Sequence, residues 1–211
     1  VAALEAALAP GDIACVLAEP VMTNVGMVLP DEGFLDKLRE ITRRTGTLLI
    51  LDETHCLSSG PGGYSRAHGL EPDGMVLGKP IAGGIPAAVY GFTADADSRI
   101  RKFLETRTPG HSGIGTTLSG SKIQLALMRA VLETYFTREA FAPLIALAKK
   151  LEKGIADVII KHSMPWHVVR AGARVGACAA GRPAPADARP EPAFARRGGA
   201  QGWRDRHRCN R

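Results

Sequence analysis

Apolar positions along the first hundred residues follow two periods, and the switch between them sets out the elements. "VAALEAALAPGD" reads as the end of a helix. "DIACVLAEP" predicts a strand over Ile13 to Ala18, closed by Glu19 and Pro20. "LPDEGFLDKLREITRRTG" then spaces Phe34, Leu35, Leu38 and Ile41 as one face of a helix, with Pro30 and Asp31 as start signals and Gly46 as the stop. Leu48 to Leu51 form an unbroken apolar run, the pattern of a strand buried on both faces of a parallel sheet, and the run ends in Asp52 and Glu53. A short strand around Met75 to Leu77, a Gly-rich loop holding Lys79 and a strand around Ala87 to Phe92 complete the alternation. The pattern predicts an α/β fold with a mostly parallel sheet flanked by helices.

Further along, "DADSRIRKFLE" predicts a surface helix and "TRTPGHSGIGTT" a loop. "LSGSKIQLALMRAVLETYF" predicts a second helix, and Arg138 to Lys161 a long one. "WHVVRAG" predicts the start of a strand, after which the pattern fails. "SSGPGGY", at 58 to 64, fits neither P-loop nor dinucleotide-loop spacing and reads as a turn.

Charge sharpens the division. The chain carries a formal charge of +6, yet from Ala171 onward nine arginines face only Asp187, Glu191 and Asp205, so the preceding residues are neutral overall. This Ala-, Arg-, Gly- and Pro-rich tail, 171–211, is expected to be largely disordered. It lacks the interleaved aromatics of a nucleic-acid-binding arm, and its composition is that of a GC-rich gene read in a shifted frame. Nucleic-acid and membrane partners are not expected, the latter because no apolar run reaches the roughly 18 residues of a span. Cys15, Cys56, Cys178 and Cys209 form no CxxC pair, which speaks against a zinc site or a disulfide framework and for a cytoplasmic setting. The chain opens without Met, and a preceding segment is expected.

Candidate chemistry gathers where strands end. Glu19, Asp52 and Lys79 reach one edge of the sheet, the carboxyl edge at which open parallel sheets bind ligands. Small residues flank Lys79 in "LGKPIAGG", so a planar ligand could approach the backbone, and a partly desolvated lysine can attack a carbonyl as the free amine. An arbitrary lysine in a loop is more often a solvated one, and an arbitrary strand-end acid more often caps a turn.

The combination carries a resemblance. "LAEPVMTNVGMVLPDEGFLDKLREITRRTGTLLILDET", "EPDGMVLGKPIAGGIPAAVYGF" and "GTTLSGSKIQLALMRAVLE" occur in order over Ile13 to Leu132. Together they resemble the class III aminotransferases of PLP fold type I, in the branch containing glutamate-1-semialdehyde aminomutase and the β-amino-acid aminotransferases. The resemblance implies pyridoxal 5'-phosphate (PLP) as cofactor. Lys79 would form the Schiff base with its aldehyde and then shuttle a proton, and Asp52 would pair with its pyridinium nitrogen. Thr54 would pack its methyl on the ring face, His55 would lie near the ring hydroxyl, and Glu19 would organise the site. Thr117 would bind the phosphate of the neighbouring subunit at a helix start, with Thr116 beside it where relatives often carry Gly. A homodimer with shared sites follows, acting on a small amino donor and a keto or aldehyde acceptor.

The implied division is a partial PLP-binding large domain at 1–136, a linking helix and start of a small domain at 137–170, and the tail. Intramolecular amino transfer of the aminomutase kind is the alternative activity. An inactive fragment keeping only fold and dimer contacts is the alternative of another class. Because the first phosphate loop and the aromatic residue over the ring would precede Val1, the chain as written is expected to bind PLP poorly or not at all.

Overall fold

The computed structural model of the chain describes residues 1–107, 115 and 119–179, together with the backbone of 195–196. Helix α1 (Ala2–Leu8) leads into β1 (Ile13–Ala18), α2 (Phe34–Thr45) and β2 (Leu48–Asp52). A short helix α3 (Gly63–Ala67), β3 (Gly74–Leu77) and β4 (Val89–Phe92) follow. Then come α4 (Ala94–Glu105), α5 (Lys122–Thr134), α6 (Arg138–Lys161), the strands β5 (Trp166–Ala171) and β6 (Arg174–Ala179), and β7 (Ala195–Arg196).

The main sheet runs in the order β4-β3-β2-β1-β7. Its core β1-β2-β3 is parallel, while β4 and β7 run antiparallel to their neighbours. β5 and β6 form a separate antiparallel hairpin. In the core, Leu49 and Leu51 of β2 and Ile13 and Val16 of β1 pack against Leu8 of α1 and Leu38 and Ile41 of α2. The apolar run of β2 predicted burial on both faces, but burial alternates, and Leu17 of β1 is 59% exposed. Among the described residues, α1 and α2 cover one face of these strands only.

Two helix ends show how local chemistry sets the frame. α2 begins at Phe34, later than Pro30 and Asp31 predicted, because Gly33 before it takes a left-handed φ of 73° and turns the chain into the helix. It stops as predicted at Gly46, also left-handed at φ 66°, with Thr47 N–H closing onto Thr42 O at 3.0 Å. Asp73 then ties three elements together. It accepts two hydrogen bonds from Arg39 of α2, at 2.7 and 2.9 Å, and a third from Leu49 N–H of β2 at 2.8 Å. Burial alone would raise the Asp73 carboxyl, but the Arg39 guanidinium and the Leu49 amide outweigh it and hold it below the usual carboxylate range.

The tail expectation needs a correction at its start. Residues 174–179 are a strand, paired from Trp166↔Ala179 to Ala171↔Arg174 across the two-residue loop Gly172–Ala173. Gly172 has a φ of 60° and Ala173 is not left-handed, which is the two-residue hairpin turn with Gly first. The strand escapes a search for apolar alternation because Gly176, Ala177 and Ala179 bring so little side chain. The hairpin lies on α6, held in part by Arg170 Nε donating to Glu152 at 2.6 Å.

Candidate active site

Parallel register brings the predicted acids level. Ala18 pairs with Leu51, so Glu19 follows β1 where Asp52 ends β2, and Asp52 pairs with Val76 of β3. Lys79 comes three residues beyond Val76, at the start of a 3₁₀ turn, Lys79–Ala82. Its φ is 52°, in the left-handed region that costs a residue bearing a Cβ about 1–2 kcal/mol. Such strain persists where surrounding structure imposes it, and here Pro80 next in line and the extended Gly78 before it define the bend.

Asp52 is half-buried. Its Oδ1 accepts the Thr54 N–H at 2.9 Å, and no other hydrogen bond reaches its carboxylate among the described residues. Thr54 places its Cγ2 and Oγ1 against the Gly78 backbone, 3.5 Å from where a Cβ there would sit. His55 sits between two basic groups, with Lys79 Nζ 2.6 Å from Nε2 and Arg174 Nη1 2.7 Å from Nδ1. Glu19 accepts from Thr23 Oγ1 at 2.7 Å and acts on His55 through its charge, as Asp52 does. The structure thus assembles Glu19, Asp52, Thr54, His55 and Lys79. Thr116 and Thr117 lie outside the described residues.

Beside Lys79 opens a cavity of about 800 Å³ lined by Pro80, Gly84, Ile85, Pro86, Ala87 and Gln124 among others. A second, apolar cavity of about 650 Å³ between α6 and the β5–β6 hairpin is lined by none of the residues assembled at the sheet edge. Burial pushes the thiol of Cys56, two residues from Thr54, up to about 11, which disfavours the thiolate at neutral pH. No group of His, Cys, Asp or Glu with metal-binding geometry occurs among the described residues.

Two residues escape the sequence reading. Glu53 is fully buried and accepts from Tyr64 N–H at 2.9 Å, Ser65 N–H at 2.6 Å and the Ser65 hydroxyl. It thereby starts α3 within the stretch that reads as a turn, and its own N–H extends the ladder to Val76 O at 2.9 Å. Gly63 is required beside it, since a Cβ there would lie 2.7 Å from Glu53 Oε2. The available signal was an acid following a buried apolar run, with no cation in sequence reach. Arg174 is the other, and the symmetric "VVRAGARV" around Gly172 is the hairpin signal that would have placed it.

Burial lowers the His55 pKa from its ordinary 6.5, and the charges of Arg174 and Lys79 lower it further against the opposing Glu19 and Asp52. A depressed folded value means that the folded state resists protonation there. The corresponding stability is present above pH 6.5 and is lost as pH falls through the folded value. Thermal unfolding should therefore show a loss of stability on acidification below that point that His55→Gln lacks; identical pH profiles for the two proteins would contradict the assignment.

A parallel core with an acid ending its central strand and a lysine just past the next is, in this chain, part of the large domain of PLP-dependent transferase fold type I, the fold of the solved structures it superimposes on. The chain belongs to the class III aminotransferase family, whose model, Aminotransferase class-III, matches residues 1–187 and so runs past β6. It is 37% identical over 170 residues to glutamate-1-semialdehyde 2,1-aminomutase 1 of Bacillus cereus, covering 78% of this chain and 37% of that protein. A solved glutamate-1-semialdehyde aminomutase of Pseudomonas aeruginosa, a variant in complex with PMP, superimposes with a TM-score of 0.80 at 51% identity, over 86% of this chain and 41% of that one. An omega-transaminase from Sphaerobacter thermophilus does so with a TM-score of 0.66 at 29% identity, over 80% and 38%. The chain spans about two fifths of the length of these relatives.

Proposed function

We propose that this chain is the lysine-bearing part of a PLP-dependent aminotransferase, which moves an amino group from an amino acid or amine to a keto or aldehyde acceptor. The observation that carries it is Lys79, held in a strained backbone conformation at the sheet edge with its amine against His55. The donor set fits the cofactor: an amine for its aldehyde, a carboxylate oxygen of Asp52 without a hydrogen bond among the described residues for its ring nitrogen, and an open cavity that Lys79 lines. When bound, pyridoxal phosphate supplies an aldehyde that takes up amines and a ring that accepts an electron pair.

The chain's own residues do the rest. Lys79 Nζ would hold the cofactor through its aldehyde and would move a proton at the substrate Cα. Asp52 would favour a proton on the ring nitrogen by its charge. Thr54 lies beside Gly78 where its methyl can pack on the ring, His55 Nε2 orients Lys79 Nζ, and Glu19 adds negative charge near His55. Thr117, with Thr116, is proposed to hold the cofactor phosphate of a neighbouring subunit.

A homodimer is supported by the family resemblance and by the exposed apolar side chains on and after α5, Ile123 at 70% and Tyr135 at 73% among them. A cytoplasmic setting is supported by the cysteine usage. Among the described residues, no helix is long and apolar enough to cross a membrane. Intramolecular amino transfer is the second reading, favoured by the identities of 37% and 51% to aminomutases.

The test supplies the chain with millimolar pyridoxal phosphate and a panel of amino donors. Keto product should accumulate above the level given by Lys79→Ala. Isomerisation of a single aminoaldehyde without keto product would select the aminomutase reading, and equal rates for both proteins would refute the two together.

A further inference from the structure

Three arginines among the described residues are half-buried: Arg39, Arg170 and Arg174. Partial burial of a guanidinium costs free energy unless a partner offsets it, and two of the three have one. Asp73 holds Arg39 at 2.7 Å, and Glu152 holds Arg170 at 2.6 Å. Arg174 has no such partner: among the described residues, no carboxylate stands within ion-pair distance of its guanidinium. The side-chain hydrogen bond described for it runs from Nη1 to His55 and occupies one of five N–H donors. The buried side-chain atoms left without a partner are Arg39 Nε and Ser59 Oγ, so the remaining donors of Arg174 are open to solvent.

The hairpin fixes this arginine at the sheet edge by contacts on both sides of it. Before Arg174, Ala173 N–H donates to Ser58 O at 3.1 Å, and a Cβ on Gly172 would lie 2.2 Å from the Ser59 Cα. After it, a Cβ on Gly176 would lie 3.0 Å from Met27 Sδ, in the loop that follows β1. Arg174 is therefore seated between the loops that carry the site, and its charge acts on both His55 and Cys56. Lys79 Nζ lies 2.6 Å from one nitrogen of the His55 ring and Arg174 Nη1 2.7 Å from the other. Amine and guanidinium are thus separated by the width of one imidazole and two hydrogen-bond lengths, a span that the amino and carboxylate groups of one small molecule can bridge.

We propose that Arg174 is a substrate-binding residue whose free N–H donors take the carboxylate of the amino donor, so that the donor is an amino acid and not a simple amine. A planar fork of donors matches the two oxygens of a carboxylate, which a single point charge does not. The proposal rests on the reading of Lys79 as the reacting amine and narrows the substrate class of that site, but its main measurement needs neither cofactor nor turnover.

That measurement is the arginine Nε–H region of the ¹⁵N–¹H spectrum, with Arg174 assigned through its own backbone, during titration with propanoate and with the uncharged propanamide. Propanoate should move the Arg174 signal along a saturating curve and leave the already paired Arg39 and Arg170 in place, and propanamide should move none of them. In Lys79→Ala the Arg174 shift should persist. Where keto product forms, the ratio of its rates with alanine and with isopropylamine, which carries a methyl in place of the carboxylate, should fall about tenfold or more in Arg174→Met, the loss of a hydrogen bond to a charged group. An Arg174 signal that propanoate leaves unmoved, that propanamide moves equally or that stops responding in Lys79→Ala overturns the proposal. Should Arg174→Met fail to fold, the two titrations of the unmodified chain still decide it. A saturating propanoate shift with no keto product from any donor would refute the proposed function and leave this inference standing; turnover with an unmoved Arg174 signal would do the reverse.

Discussion

Asp52→Asn should weaken cofactor uptake at Lys79 by about 10–100-fold, the loss of one charge-assisted hydrogen bond of roughly 1.5–3 kcal/mol. The carboxylate is half-buried, with Oδ1 taken by the Thr54 N–H and no hydrogen bond to the rest of it among the described residues. An amide can still accept from Thr54 but cannot stabilise a protonated ring nitrogen by charge. The effect should therefore depend on that nitrogen. Salicylaldehyde, which offers the same aldehyde and hydroxyl without a ring nitrogen, should react with Lys79 equally well in both proteins. The comparison is made by borohydride reduction and mass spectrometry over a range of aldehyde concentrations. An equal loss for the two aldehydes would place Asp52 in a structural role instead.

Glu53→Ala should be the most destabilising single change near the site. It removes the acceptor for two buried backbone N–H groups and the Ser65 hydroxyl at once. Stranded donors of this kind cost about 1–3 kcal/mol each, so a total on the order of 3–5 kcal/mol is expected. That is a large share of the roughly 5–15 kcal/mol of a whole domain. Urea unfolding should show the midpoint falling by about 1–2 M, given slopes of a few kcal/mol/M. Glu53→Gln should fall between, because its amide retains one acceptor oxygen but turns an N–H toward a donor. A Glu53→Ala midpoint matching that of the unmodified chain would remove Glu53 from the account.

What could be read from the residues alone divides along a physical line. β1, β2 and β3 were legible because apolar runs between Pro and Gly punctuation leave little choice, and Lys79 because small residues flank it in a loop after a strand. The C-terminal end of α2 was legible because Gly46 can turn left-handed at no steric cost. What could not be read depends on contacts between distant parts of the chain. α3 exists because Glu53, ten residues before its start, collects its first N–H groups, and no periodicity over five residues could announce that. β6 owes its order to β5 and α6 rather than to its own small side chains. Arg174 shares that fate: it lies 119 residues from His55 in sequence, in a stretch whose composition pointed to disorder. The alternating burial of β2 likewise depends on what covers each face, which an apolar run does not encode.

The central claim is that Lys79, and no other lysine of this chain, is the amine that takes up the cofactor. Mapping the pyridoxyl group after incubation with pyridoxal phosphate and borohydride reduction tests it most directly. As the cofactor concentration is raised, label should appear first on the peptide spanning Lys79, before any rises above background elsewhere. In Lys79→Ala the remaining lysines should label slowly and without preference. Label spread evenly over the surface lysines of the unmodified chain, with Lys79 no faster than Lys102, would contradict it.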